Sequence, residues 1–86
     1  MVGPGLSPIA LAARFVAVLY AATLGRSGRW RRISDCAERA GIEGADVERA
    51  VRTAERAGFV VVHIDERQVM LTAKGLEVAR ARPISK

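Results

Sequence analysis

The most restrictive feature of this sequence is a hairpin pattern enclosed by two helical patterns in residues 57–75, AGFVVVHIDERQVMLTAKG. The β-branched run of residues 59–64 predicts a strand, the DER triplet after it predicts a turn, and residues 68–71 predict the returning strand. Thr72 then suits the N-cap of a last helix, which Pro83 should halt. The pattern predicts a mainly helical α+β fold with one small hairpin.

Alternation along the two strands predicts which hairpin side chains face a helical core. The side chains expected to point inward are Phe59, Val61, Val69 and Leu71. Those expected to point outward are Val60, Val62 and Met70. Such an outer face is unusually apolar for an exposed ribbon, which suggests that something covers it.

A first helix is predicted over residues 8–24. Ser7 is a good N-cap, Pro8 suits the first helical position, and Gly25 supplies the stop. The helix carries Arg14 in its middle and is short for a bilayer span, so we expect neither a signal peptide nor a membrane helix.

This first helix is apolar on two opposite sides. One side carries Ile9, Ala13, Val16 and Tyr20. The other carries Leu11, Phe15, Val18 and Ala22. A domain of 86 residues has a small core and can hardly cover both sides. The second set is therefore expected to form the interface of a homodimer.

A short second helix is predicted after the basic loop. Ile33 is expected to form a strand of one or two residues, and Ser34 to cap a helix over residues 35–40 that Gly41 ends. Cys36 is expected on the inner side of this helix as a small buried hydrophobic residue, because neither a histidine nor a second cysteine stands near it.

A third helix is predicted over residues 45–57, with Gly58 as its stop. At about 100° per residue, its small aliphatic side chains share one face. They are Val47, Ala50, Val51 and Ala54. Three arginines share the opposite face: Arg49, Arg52 and Arg56.

Two interpretations of this arginine row stay open. Arginine pairs well with guanine edges and with phosphates, so the row is typical of a helix that enters the major groove of DNA. Alternatively, the row is a solvated or protein-contacting face in which Arg52 pairs with Glu48 or Glu55.

The positive charge of the chain is concentrated near its start. The net charge is +5, and residues 1–34 hold five arginines and no acidic residue, whereas the rest is balanced. Most of these arginines lie in the loop GRSGRWRR, where Arg31 and Arg32 could bind phosphate or belong to a solvated turn.

The whole pattern resembles the winged helix-turn-helix domain of bacterial transcriptional regulators, in the broad MarR/PadR-like superfamily. The segment ISDCAERAGIEGADVERAVRTAERAGFVVV resembles the helix-turn-helix, and AGFV, the hairpin and LTAKG resemble the wing and its exit. The resemblance covers residues 9–82, in the order helix-helix-helix-strand-strand-helix.

The resemblance implies sequence-specific binding of double-stranded DNA by a small dimeric transcriptional regulator, with the third helix in the major groove. It implies that Arg49, Arg52, Thr53 and Arg56 lie in the recognition helix, that Ser34 binds phosphate and that Arg67 contacts DNA from the wing tip. The alternative is a winged helix that serves protein association and dimerisation without binding DNA.

Other classes of function are disfavoured. Neither metal-ligand spacing nor a phosphate-binding loop occurs, and His63, the single histidine, lies inside an apolar strand. We therefore expect neither an enzyme nor a cofactor or metal, and leave a small-molecule effector open. A lone cysteine predicts a cytoplasmic protein, and the length predicts one domain over residues 1–86 with loose termini at 1–6 and 83–86.

Overall fold

The computed structural model describes residues 7–26 and 28–81, so the predicted loose termini lie outside the described residues. The elements, in chain order, are α1 (Pro8–Ala22), β1 (Trp30–Arg32), α2 (Ile33–Ala40), α3 (Ala45–Arg56), β2 (Val60–His63), β3 (Gln68–Leu71) and α4 (Ala73–Ala81). The mixed α+β class is confirmed. None of the described helices has both the length and the apolar character that a membrane crossing requires.

Helix α1 begins as its sequence predicts and ends two residues early. The Ser7 hydroxyl accepts the Ala10 N–H at 3.1 Å, and Pro8 opens the helix. The helix ends at Ala22, and the Gly25 N–H then donates back to the Tyr20 carbonyl at 2.9 Å. Gly25 has a φ of 72°, a conformation that glycine adopts without strain.

The start of α2 differs from the prediction. Ile33 is its first helical residue, and the strand lies just before it, at Trp30–Arg32. Arg32 occupies the N-cap position without a side-chain cap bond, so Ser34 lies inside the helix and does not cap it. The Ile33 N–H is satisfied instead by the Arg67 carbonyl at 3.0 Å, which ties the start of α2 to the hairpin. Gly41 ends α2 as predicted, with a φ of 73°.

Strand β1 adds a third strand to the hairpin, in the order β1-β3-β2, with both pairings antiparallel. The observed order is therefore helix-strand-helix-helix-strand-strand-helix, and the predicted order was wrong in omitting β1. The sequence gives little sign of this strand because it is three residues long and two of them are arginines.

The inner face of β2 is opposite to the predicted one. Val60 lies opposite Leu71, and Val62 lies opposite Val69, so these four side chains share the inner face. Val61, predicted inside, is 42% exposed, whereas Val60, predicted outside, is 3% exposed. The positions predicted for β3 were correct. In β2 the residues that face inward are therefore displaced by one position from the predicted ones, whereas in β3 they are not.

The core is built around α1. Leu11 and Phe15, predicted to meet a second chain, are 3% and 0% exposed, because the chain's own α2, α3, α4 and sheet surround that side of the helix. These two side chains thus have no surface to offer a partner, and their assignment to a dimer interface was wrong. Val18 and Ala22 are half-buried. On the opposite side, Ile9 and Ala13 are exposed, whereas Tyr20 is half-buried and Val16 is buried.

Helix α3 packs against α1 through alanines. Ala50 and Ala54 are both fully buried, and their small side chains let the two helix backbones come close. Val47 and Val51, predicted in the same stripe, lie at its edge and are half-buried. The helix ends at Arg56, and Gly58, with a φ of 82°, follows as the predicted stop.

Helix α4 returns across the start of the hairpin. The Thr72 hydroxyl accepts the Gly75 N–H at 3.0 Å and donates to the Gly58 carbonyl, so Thr72 is the predicted N-cap. Gly75 is buried against the backbone of Phe59, where a Cβ would overlap the Phe59 carbonyl oxygen.

Candidate functional site

The arginine row of α3 is on the surface. Ala50 and Ala54 form the buried side of α3. Side chains on the opposite side of the helix therefore face solvent. The side chains of Arg49 and Arg52 are 64% and 63% exposed. Arg56 is exposed as well. Three guanidinium groups are therefore available along one face of α3.

Two of these arginines make ion pairs within their own helix. Arg49 Nη1 lies 3.2 Å from Asp46 Oδ1, and Arg52 Nη2 lies 3.2 Å from Glu48 Oε1. Both pairs are exposed to solvent, so each contributes about 1 kcal/mol or less. A phosphate or a base edge can therefore replace either carboxylate at little cost.

Helix α3 itself carries no net charge. Its three arginines are balanced by Asp46, Glu48 and Glu55. Because the net charge of α3 is zero, attraction to a polyanion must come from individual contacts and from the basic residues of other elements.

The remaining residues predicted for DNA contact are spread over three elements and the hairpin turn. Ser34 is exposed in the first turn of α2, and Arg32 is exposed at the end of β1. Thr53 is half-buried on α3, beside the arginine row. Arg67 is exposed in the turn between β2 and β3, with a φ of 53°.

Arg31 has a structural role that the sequence does not suggest. Its Nη2 donates to the Ala22 carbonyl at 3.1 Å, and its Nε reaches the same oxygen at 3.4 Å. The carbonyls at the end of a helix carry partial negative charge, so this contact stabilises the C-terminus of α1. Since its guanidinium is already used and half-buried, Arg31 is a poor candidate for phosphate contact.

The hairpin turn is acidic apart from Arg67. Asp65 and Glu66 are both exposed beside it. The Glu66 N–H donates to His63 Nδ1 at 3.3 Å, and the imidazole lies edge-on to Trp30 with ring centroids 5.8 Å apart. His63 therefore orders the turn and packs on β1, as its place in a strand suggests.

A groove between α2, α3 and the hairpin has no counterpart among the sequence predictions. It is open and has a volume of about 760 Å³. Its walls carry glutamates from α2, α3 and the loop between them: Glu38, Glu43, Glu48 and Glu55. These residues are scattered along the sequence, and only the spacing of Glu48 and Glu55, about two turns apart on α3, indicates a shared face.

Cys36 is buried in the core, as predicted, and 1% exposed. Burial, with a smaller contribution from the neighbouring Asp35 carboxylate, raises the pKa of the thiol from its ordinary value of 9.0 to about 11. The folded state therefore disfavours the reactive thiolate. Among the described residues, no group of three or more histidine, cysteine or acidic side chains could hold a metal ion.

We expect Cys36 in the folded protein to resist iodoacetamide at pH 8, where a pKa of about 11 leaves roughly one thiol in a thousand ionised. Unfolding in guanidinium chloride should release rapid labelling, which mass spectrometry detects. Because the folded pKa is the higher one, this thiol favours folding below pH 9 and loses that contribution as pH rises toward 11. Equal labelling rates in the folded and unfolded chains would contradict the burial of Cys36.

Comparison with protein-family models, curated proteins and solved structures found no significant match to this chain.

Proposed function

We propose that this chain is a winged helix-turn-helix protein that binds double-stranded DNA through α3, as a small dimeric transcriptional regulator. The observation that carries the proposal is the exposed row of Arg49, Arg52 and Arg56 on the face of α3 opposite its buried alanines. A helical face with this arrangement suits the major groove, where arginine pairs with guanine O6 and N7.

Residues around α3 add contacts of the kind that position a helix on a duplex. Ser34, in the first turn of α2, can donate its hydroxyl to a phosphate, and Thr53 borders the arginine row. Arg32, at the end of β1, and Arg67, in the hairpin turn, are exposed and offer two further guanidinium groups. Contacts of this type fix the position of the protein on the duplex, whereas preference for a DNA sequence would come from the arginines of α3.

A dimer would present two copies of α3 to one duplex, about one helical turn of DNA apart. With Leu11 and Phe15 in the core, a dimer would have to use the outer side of α1. Ile9, on that side, is 74% exposed, and Leu24, just past the end of the helix, is 83% exposed. Val18 and Ala22 are half-buried and remain available as well.

A second candidate, protein association without DNA binding, is favoured by the acidic residues near α3. The hairpin turn presents Asp65 and Glu66, and the adjacent groove presents four glutamates, where a duplex would bring phosphates. The negative charges of these residues would repel the phosphates of a duplex. The salt dependence of duplex binding, described below, therefore separates the two candidates.

We expect fluorescence anisotropy to detect binding of the chain to a labelled duplex at low salt, with affinity falling steeply as salt increases. Three to five phosphate contacts predict a slope of about −3 to −5 in log K against log salt concentration. Absence of duplex binding at low salt would refute the DNA proposal and favour protein association.

We expect Arg52→Ala to weaken duplex binding by about 1 to 3 kcal/mol, because one base-reading arginine is lost. The matched control is Arg80→Ala, which removes an exposed arginine from the last turn of α4 and should change binding little. Equal losses in the two variants would indicate general charge attraction and remove α3 from the interface.

A further inference from the structure

The groove between α2, α3 and the hairpin is an apolar channel with acidic edges. Its floor is formed by buried or half-buried aliphatic side chains: Ile33, Ala37, Ile42, Val47, Val51 and Val62. Ile64 stands at its hairpin edge and is 78% exposed. The interior of a small domain is normally close-packed, so an open apolar channel of about 760 Å³ is a surface that this fold leaves unfilled.

The channel stays open because of the way α3 is packed. Ala50 and Ala54 hold α3 against α1, which turns the larger Val47 and Val51 away from the centre of the core and into the channel. Ala37, one of the α2 residues that line the channel, contributes only a methyl group. The side chains available on the two helices therefore leave a trough between them.

The edges of the channel are charged, with an excess of acid. Four glutamates and two arginines line it, which gives a net charge of −2. Arg52 is paired with Glu48 at 3.2 Å, so the charges left to a ligand are those of Glu38, Glu43 and Glu55 against that of Arg67. All four of these side chains belong to exposed residues.

We propose that this channel binds an amphipathic helical segment of another protein, with aliphatic residues on one face and lysines or arginines beside them. Aliphatic side chains of such a segment would cover Val47, Val51 and Ile64, and its cations would lie against the glutamates. A helix laid in a hydrophobic groove is a recurrent mode of recognition, and opposite charges at the edges fix its orientation. A nucleic acid lying along the channel floor would bring its phosphates against the same glutamates, so a basic peptide is the favoured occupant.

The channel and the arginine row are adjacent on α3 and share Arg52. Val51 and Glu55 lie on the channel side, whereas Arg49 and Arg56 lie beyond Arg52 on the other. Peptide binding and duplex binding are measured with different ligands, so either can be found without the other.

The test uses a fluorescein-labelled helical peptide that carries leucines at positions i, i+3, i+4 and i+7 and lysines on its polar face. We expect saturable binding to the folded chain in fluorescence anisotropy. A second peptide with glutamates in place of the lysines, and a third with glutamines in place of the leucines, should each bind at least tenfold more weakly.

Two variants of the chain assign the binding to the channel. Glu55→Lys should weaken binding of the lysine peptide at least tenfold, whereas Glu77→Lys, the same charge change on an exposed residue of α4, should leave it within twofold. Ile64→Ser removes an exposed aliphatic group and should weaken binding severalfold without affecting the fold.

Three results would overturn the proposal. They are binding of the glutamate peptide as tight as that of the lysine peptide, equal effects of Glu55→Lys and Glu77→Lys, and no binding of the lysine peptide to a chain whose circular dichroism shows it folded. Each of these leaves the duplex measurements unaffected, so failure here is distinguishable from failure of the DNA proposal.

Discussion

We expect Phe15→Ala to lower the free energy of unfolding by about 3 to 5 kcal/mol, because it removes a fully buried aromatic ring and leaves a cavity. The free energy of unfolding of a small domain is only about 5 to 15 kcal/mol. If this chain lies at the low end of that range, a large fraction of the variant molecules will be unfolded at room temperature. Urea denaturation followed by circular dichroism measures the change, at several protein concentrations to detect any dimer.

The control for Phe15→Ala is Ile9→Ala, which truncates an aliphatic residue of the same helix that is 74% exposed. If the chain acts as a monomer in this measurement, the control should change stability by about 0.5 kcal/mol or less. Losses that are equal in the two variants, or a stable fold with Phe15→Ala, would contradict the placement of Phe15 at the centre of the core. If only Ile9→Ala lowers the free energy of unfolding, and the loss increases as the protein is diluted, then the outer side of α1 is an interface between chains.

We expect Gly75→Ala to lower the free energy of unfolding by about 2 to 3 kcal/mol, despite the better helix propensity of alanine. The added Cβ would overlap the Phe59 carbonyl oxygen and lie 2.9 Å from the Phe59 carbonyl carbon. Both are backbone atoms of the segment leading into β2, so they cannot move aside by a rotamer change. Helix α4 would have to shift away from the sheet, and thermal denaturation should show a lower midpoint.

The matched control is Glu77→Ala, two residues further along α4, where the side chain is exposed. It should change stability by about 0.5 kcal/mol or less. A Gly75→Ala variant as stable as this control would mean that α4 does not pack closely on Phe59. That result would contradict the close contact between α4 and the segment that leads into β2.

The sequence predicted the elements better than it predicted their faces. Ser7, Gly41 and Thr72 mark helix ends through bonds or backbone angles that involve only a few neighbouring residues, and all three ends are where the sequence puts them. Strand β1 was predicted only as one or two residues at Ile33, because two of its three residues are arginines and its partner β3 is distant in sequence.

The candidate site was predicted in part. The arginine row of α3 lies on the surface because helical periodicity alone separates it from Ala50 and Ala54. Arg31 could not be separated from Arg32 in the same way, since the difference between them is the Ala22 carbonyl, nine residues away in sequence. The groove could not be predicted, because its residues come from elements whose packing angles the sequence does not state.

By itself the sequence determined the four helices, the β2–β3 hairpin and which side of α3 carries its charge, because caps, turns and periodicity act over a few residues. Only the tertiary structure decided which face of β2 points inward, that Leu11 and Phe15 lie in the chain's own core, and that a trough stays open beside α3. The physical reason is that register and packing depend on contacts between segments far apart in sequence, where a shift of one residue exchanges the buried face for the exposed one.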